Sequence, residues 1–341
     1  MRGNMFRNRR GFVYLLIASF AIAVILLVFL SSNAYHFQDQ ESLYQVRIRA
    51  MNDFVKNFNS DVHRATYIAA FRSLVALEDY VTSQGIFLDD TNASFHEIFF
   101  NGTINGTSVE IMENSSFQDY INKVEFLANT VGINLAVNVT KIALTQSDPW
   151  SIDVHVFADV NMTDTKMLAS WIYSTEYVTN VPICDLRDPL YGKFTLNKVP
   201  NTIRRFNYPD CHIINNSDLV IGTDITYLIN HTSGSYYRAS NESPNFLMRF
   251  EGRNGADPNG IESIVDIAAL LDQDLPVYQN KIKIDFMYFN NITINQTNQT
   301  ICNLQNVTPA MPSKYYFIIP KDRMVIYNLT DLGIVYSTNC T

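Results

Sequence analysis

Neither glycine nor proline occurs between Phe12 and Gln84. These are the residues that most often end helical backbone, so their absence removes the ordinary stop signals from that whole stretch. Acid is missing from the start as well: Arg2, Arg7, Arg9 and Arg10 all precede the first carboxylate, Asp39. The four cysteines include no Cys-x-x-Cys pair, which argues against a thiolate zinc site. There is no His-Glu-x-x-His, no Gly-x-Ser-x-Gly elbow and no phosphate loop, and no cofactor is implied. With a net charge of −8 and its only basic cluster in that arginine run, the chain lacks the Lys and Arg field that nucleic acid requires.

What is present begins with an unbroken apolar run, Phe12 to Leu30. As a helix its nineteen residues span roughly 28 Å, close to the roughly 30 Å hydrocarbon core of a bilayer. Fourteen of the nineteen are Leu, Ile, Phe or Val, which favours lipid by roughly 4 to 8 kcal/mol. The arginines before the run and the acids after it predict the N-terminal side in the cytoplasm and everything after about residue 33 outside. A cleaved secretory signal is the rival reading, because Ser32-Asn33-Ala34 resembles a small-x-small cleavage site. Such signals carry an apolar core of about seven to fifteen residues, which favours an anchor here.

The exterior part is large and 47% of the chain is apolar, enough for packed cores rather than disorder. The 19 Tyr and 22 Phe suit β-rich, half-buried surfaces. Asn-x-Ser/Thr triplets begin at Asn92, Asn101, Asn105, Asn114, Asn138, Asn161, Asn215, Asn230, Asn291, Asn295, Asn298, Asn328 and Asn339, with two more at Asn241 and Asn306 that a following proline makes poor acceptors. Composition alone would give roughly five, and none falls before residue 90, so the exterior part is expected to carry N-linked glycans. Cys184, Cys211, Cys302 and Cys340 also lie there, on an oxidising side, and are expected to form two disulfides. Three pairings are open; Cys184 with Cys211 and Cys302 with Cys340 close the shorter loops.

Five segments follow from these patterns. Residues 1–11 form a basic cytoplasmic leader and 12–31 the transmembrane helix. Residues 32–85 continue as an amphipathic stem helix, with Leu43, Val46, Ala50, Phe54, Phe58, Val62, Ala65 and Ala69 on one apolar stripe. The polar cluster Asn57, Asn59, Ser60 and Asp61 is the expected kink, and Gly85 the end. That stripe needs a partner, in the same chain or in a neighbouring copy. Residues 86–180 read as an α+β head: a short helix within 90–110, a helix from Phe117 to Asn129, and strands from Ile133, from Ile152 and over Ala169 to Val178, the alternation of half-buried antiparallel strands. Residues 181–341 read as a disulfide-braced, sequon-rich part containing strands at Asn245 to Phe250, Ile282 to Tyr288 and Tyr315 to Ile319, and a helix over Ile261 to Leu271 capped by Asn259.

Arg9-Arg10-Gly11 before Phe12 resembles the basic-Gly junction cut by prepilin peptidases, which leaves the apolar segment on the mature protein. Bacterial-type pilins carry Glu at the fifth mature position, where this chain has Leu16; on the plainer reading Gly11 is only a residue at the membrane edge. Together with DPLY at Asp188 to Tyr191, FLMRFEG at Phe246 to Gly252, NGIESIV at Asn259 to Val265 and DFMYFNN at Asp285 to Asn291, the chain resembles a group of archaeal membrane-anchored, type IV pilin-like surface proteins. The likeness covers most of the chain. It implies location and architecture, with copies of the chain or other pilin-like subunits as partners beside the lipid bilayer, and carries over no catalytic residue.

The expectation is therefore a non-enzymatic surface glycoprotein serving a filament, adhesion or envelope structure. The alternative is a membrane-tethered enzyme or an extracellular binding protein. Its hint is Asp272-Gln273-Asp274 after an apolar run, since a DxD can hold a divalent metal and sugar-nucleotide phosphates. Against it, the alternating helix and strand units of a nucleotide-binding domain are missing. His155 stands out of phase with the apolar face of its strand, so a solvated side chain is favoured over a zinc ligand. Asp257-Pro258-Asn259-Gly260 is expected to be a turn rather than a calcium loop, because it lacks the later acidic ligands.

Overall fold

The computed structural model describes residues 9–205, 232, 236–278, 281–290, 300–301, 319–320 and 323. It joins one very long helix to antiparallel sheet, a mixed architecture compatible with the expected α+β class. Helix α1, Arg9–Gln84, is continuous for 76 residues, about 114 Å along its axis. No break or restarting cap divides it at Asn57 to Asp61, where one was expected. Asn59 is instead held from outside the helix: Tyr173 and Tyr177 donate their hydroxyls to its Oδ1 at 3.0 and 2.7 Å. The helix stops at Gly85, whose φ of 64° suits glycine and whose N–H reaches Val81 O at 2.9 Å.

The apolar stripe of α1 is divided. Val46 and Ala50 are exposed, whereas Phe58, Val62 and Ala69 are buried, with Phe54 and Ala65 packed beside them. From about Met51 onward, then, the partner of the stripe is the head of the same chain.

After a short linker, Asp90 caps α2 (Thr91–Asn101) through Ala93 N, and Gly102 ends it in the left-handed conformation. A two-residue hairpin follows, β1 (Thr103–Ile104) and β2 (Thr107–Ser108), turning on Asn105 and Gly106, both at positive φ. Helix α3 (Phe117–Thr130) begins on a capping box between Ser116 and Asp119. Then come the three long strands of the head, β3 (Ile133–Asp148), β4 (Ser151–Asp164) and β5 (Ser170–Pro182), in the antiparallel order β3-β4-β5. Alternation explains their burial: Ile152, Val154, Val156, Ala158, Val160 and Met162 all face the helices, and the residues between them face outward.

The chain beyond residue 182 departs from the expected elements. Helix α4 (Pro189–Thr195) is capped by Asp188, with proline at its first position. Short strands β6 (Arg204–Arg205), β7 (Tyr236–Ala239) and β8 (Ile261–Glu262) form a small mixed sheet. The segment expected as a strand at Asn245 to Phe250 is helix α5 (Phe246–Phe250), because Asn245 Oδ1 accepts from Met248 N and caps it. Asn259 caps nothing helical; β8 comes first, and Asp266 caps the shorter α6 (Ile267–Asp272). Ile282 to Tyr288 contributes one bridge, Ile264 to Ile284, before turning into α7 (Asp285–Phe289). Side-chain caps from Asn245 and Asp266 set the starts of α5 and α6, whereas α7 begins after Ile284 without one; in runs this short, apolar alternation does not specify a strand. The last pairing, β9 (Thr300–Ile301) with β10 (Ile319–Pro320), includes only the end of the expected Tyr315 to Ile319 strand; the rest of it lies outside the described residues.

Two apolar cores result. The first runs from α1 through α2, α3 and the sheet to Tyr237, Phe246, Phe250 and Ile261. The second gathers Leu190, Tyr191, Ile264, Val265, Leu270, Ile284, Phe286 and Ile319.

Candidate functional site

Three features of the chain bear on function: the bare end of α1, the distribution of glycan acceptors, and a buried ionic centre. Val13–Leu30 is long and apolar enough to cross a membrane and none of it is buried, its large side chains standing 43 to 72% exposed. The other end of the same helix is fixed. Arg47 Nε meets Asp164 Oδ1 at 2.5 Å, while its two terminal nitrogens donate to Val131 O at 2.9 Å and Gly132 O at 2.5 Å. Further along, His63 Nδ1 lies 3.3 Å from Thr179 Oγ1 and its ring meets Tyr177 edge-on. Burial pushes the Asp164 carboxyl up, but the Arg47 hydrogen bond and the backbone N–H groups of Lys166 and Leu168 outweigh that and hold it below the ordinary value.

Of the expected acceptors, Asn92, Asn101, Asn105, Asn114, Asn138 and Asn161 fall on described residues, and all six side chains are exposed. Asn138 and Asn161 stand on the outer face of the sheet, where their registers with Asp159 and Ile172 place them. Asn215, Asn230, Asn291, Asn295, Asn298, Asn328 and Asn339 lie outside the described residues, as do Cys211, Cys302 and Cys340. Cys184 is disulfide-bonded. Gly11 and Phe12 fall in the first turn of α1.

The ionic centre was not anticipated. Arg249, on α5, is wholly buried and donates through one terminal nitrogen to Asp188 Oδ2 at 2.6 Å and Asp285 Oδ2 at 2.9 Å, and through the other to Ile261 O. Tyr237 donates its hydroxyl to Asp188 at 2.7 Å, and Ser263 donates to Asp285 at 3.1 Å. One guanidinium thus ties α4, α5, α7, β7 and β8 together. Burial pushes the Asp188 carboxyl up further than the Arg249 charge lowers it, and the Arg249 guanidinium is held firmly protonated by both carboxylates against its own burial. A sequence signal existed: an arginine in the middle of Phe-Leu-Met-Arg-Phe, where a five-residue helix leaves no polar face for it. The four segments DPLY, FLMRFEG, NGIESIV and DFMYFNN, scattered over a hundred residues, each contribute a group to this centre.

Sealed groups of this kind can brace a fold but cannot receive a substrate. The open candidates have their own geometry. Asp272 and Asp274 are exposed at the end of α6, Asp274 at a φ of 53°, and Asp272 lines a cleft of about 320 Å³ with Asp266 and Lys198. On the outer sheet face, His155 Nδ1 lies 2.7 Å from Glu176 Oε1 and its Nε2 lies 2.8 Å from Thr145 Oγ1. That order of hydroxyl, imidazole and carboxylate matches a hydrolytic triad. Yet Asp153, directly opposite Thr145, accepts from Ser147 Oγ and, at 2.9 Å, from Asn180 Nδ2, so the polar groups of this face are paired with one another across the strands. The three groups form a cross-strand polar ladder. Among the described residues no group of three or more His, Cys, Asp or Glu is placed to hold a metal ion. Asp257 through Gly260 is a turn, closed by Gly260 N to Asp257 O at 2.9 Å.

Comparison with protein-family models, with curated proteins and with solved structures returned no match.

Proposed function

We propose that this chain is a non-enzymatic, membrane-anchored surface glycoprotein, with the arginine-flanked end of α1 inside, the head outside, and a pilin-like role in a filament, adhesion or envelope structure. One observation carries the reading: a single helix presents a bare eighteen-residue span, apolar but for Ser19, at one end and is built into the core of the head at the other. In water that end would expose a large contiguous apolar surface; in a bilayer every one of its side chains meets lipid. The exposure of all six described acceptors and the oxidised Cys184 both suit an exterior head. The pilin-like version draws on the Arg9-Arg10-Gly11 junction, which falls where the first N–H groups of a helix lack internal partners and the backbone opens most easily.

Terminal sequencing and intact mass of the native protein test this reading. A mature N-terminus at Phe12, with glycan mass on the head, supports the processed form; Met1 retained on a carbonate-resistant membrane protein supports the plain anchor. Recovery as a soluble protein cleaved near Ala34, or a head without any glycan, would overturn the anchored or the coated half respectively.

A further inference from the structure

The two edges of the head sheet are treated in opposite ways. On β3 the outward N–H of Val137 is taken by Glu125 Oε1 at 3.1 Å and that of Leu144 by Asn92 Oδ1 at 2.8 Å. The same strand is bulged between Val139 and Lys141 and carries a lysine there. These are the devices by which an edge is closed to further pairing.

β5 has none of them along its length. Its register with β4 is unbroken from Ser170 to Pro182, it contains no lysine, and its only proline is the last residue. Residues in an antiparallel ladder point both backbone groups to the same side, alternately. Since Val137 and Leu144 point away from β4, their partners Val160 and Val154 point toward β5, and so Tyr173 and Thr179 point toward β4. Ile172, Ser174, Glu176, Val178 and Asn180 therefore direct their N–H and C=O groups off the sheet. All five residues are exposed, Ile172 at 76% and Val178 at 44%, and no hydrogen bond to another described residue occupies those backbone groups. The open edge is about 27 Å long. No acceptor sequon lies on it; Asn161, opposite Ile172 on β4, is the neighbouring one.

We propose that this edge is a strand-addition site, completed by an extended segment of a partner polypeptide that pairs antiparallel with residues 172–180. Its side chains set the chemistry of that segment: apolar residues opposite Ile172 and Val178, and a hydroxyl or cationic residue opposite Glu176. A second copy of the chain does not serve, and this step rests on the anchored reading. α1 runs alongside β5 in the same direction, with Asn59 at Tyr173 and Tyr177, then His63 at Thr179. Two copies paired antiparallel through β5 would send their apolar segments opposite ways, which one bilayer cannot hold.

The probe is a synthetic peptide with the sequence of Ser170–Pro182, which in the antiparallel register centred on Thr175 places valine opposite Ile172, isoleucine opposite Val178 and serine opposite Glu176. Residue-resolved amide exchange on the full chain in detergent micelles reads the result. On adding peptide, the amides of Ile172, Ser174, Glu176, Val178 and Asn180 should slow by about tenfold or more, while those of Tyr173, Thr175, Tyr177 and Thr179, already paired, stay unchanged. The variant Ile172→Lys/Val178→Lys should lose that protection and recover it with a peptide carrying glutamate at the two facing positions. No protection of the alternate set at saturating peptide, or protection indifferent to the lysines, overturns the site. Alternate protection without peptide, together with a dimeric mass, overturns the partner assignment in favour of a second copy. Vesicle flotation of the same chain separately tests the anchor, whose failure leaves the exchange result standing.

Discussion

Replacing Arg249 with methionine isolates the most concentrated interaction in the head. The side chain is wholly buried, and so are the carboxylates it serves, Asp188 and Asp285. Removing one partner of a buried ion pair costs about 3 to 5 kcal/mol, because the remaining charge is stranded. Here one guanidinium neutralises two carboxylates, which lifts the cost off the lower end of that range. The hydrogen bonds that Tyr237 and Leu190 N give Asp188, and that Ser263 gives Asp285, keep it from going higher. Urea unfolding of the full chain in micelles, followed through Trp150 and Trp171, should therefore show Arg249→Met destabilised by about 4 kcal/mol at pH 7. A pH signature accompanies it. Asp188 already lies above the usual carboxylate range, chiefly through burial, and losing Arg249 removes the charge that opposes the rise. A carboxyl whose folded pKa is raised binds a proton that the unfolded chain releases, so the variant should regain stability as pH falls from neutrality toward about 4. Adding Asp188→Asn and Asp285→Asn to Arg249→Met should restore most of the loss, since a neutral set replaces stranded charge. A loss under about 1 kcal/mol with no gain on acidification would refute the account of the centre as a mutually dependent ionic brace.

Other parts of the structure give independent tests. Asn59→Leu deprives the Tyr173 and Tyr177 hydroxyls of their common acceptor and should cost about 1 to 3 kcal/mol in the same unfolding assay. Gly132 has a φ of 74°, and a Cβ there would meet Arg47 Nη2 at 2.6 Å; Gly132→Ala should cost about 1 to 3 kcal/mol, and its sum with Arg47→Ala should be less than additive because both act on one contact. Asp164 has its pKa lowered, so its contribution is complete above the unfolded carboxyl range and is lost as pH falls below about 4; Asp164→Asn should flatten that part of the acid limb. Burial, with Lys281 adding to it, lowers Lys283 from 10.5 to about 8. Between those values the unfolded chain binds the proton and the folded chain does not. Wild-type stability should accordingly rise from pH 8 toward 10, and Lys283→Met should abolish the rise.

The sequence was most legible where one periodicity persisted. The alternations from Ile133 and Ile152 became β3 and β4, the third candidate became β5 with its end moved from Val178 to Pro182, and the absence of breakers carried α1 to Gly85. Asn59 shows why no break occurs at the polar cluster. A polar residue in a helix reads as a break when only its own backbone is considered, but here its partners are tyrosines more than a hundred residues away. Past residue 240 the described helices are five or six residues long and the strands two, and a run such as Ile282 to Tyr288 fits two turns of helix about as well as a strand. There the decision fell to caps: Asn245, and Asp266 in place of Asn259. The edge of β5 was illegible for a different reason, since which backbone groups are left unpaired is a property of the whole sheet.

Four of the five segments on which the resemblance was read, all but the Arg9-Arg10-Gly11 junction, converge on the Arg249 centre, and this bears on what such a resemblance can report. Asp188, Arg249 and Asp285 are groups whose replacement strands a buried charge, so any sequence that keeps this fold must keep them or change them together, whereas position 261 enters through a backbone carbonyl that any residue supplies. Their likeness in other chains would be enforced by stability whether or not the proteins did the same thing. The surfaces free to differ are those with no such penalty: the outer sheet face with Asn138 and Asn161, and the free side of β5 with Ile172 and Val178. Two chains with the same brace could carry different residues on both. The function of the head is therefore to be sought on its sheet edge and its outer sheet face, where a change of residue costs the fold little and alters what the molecule meets.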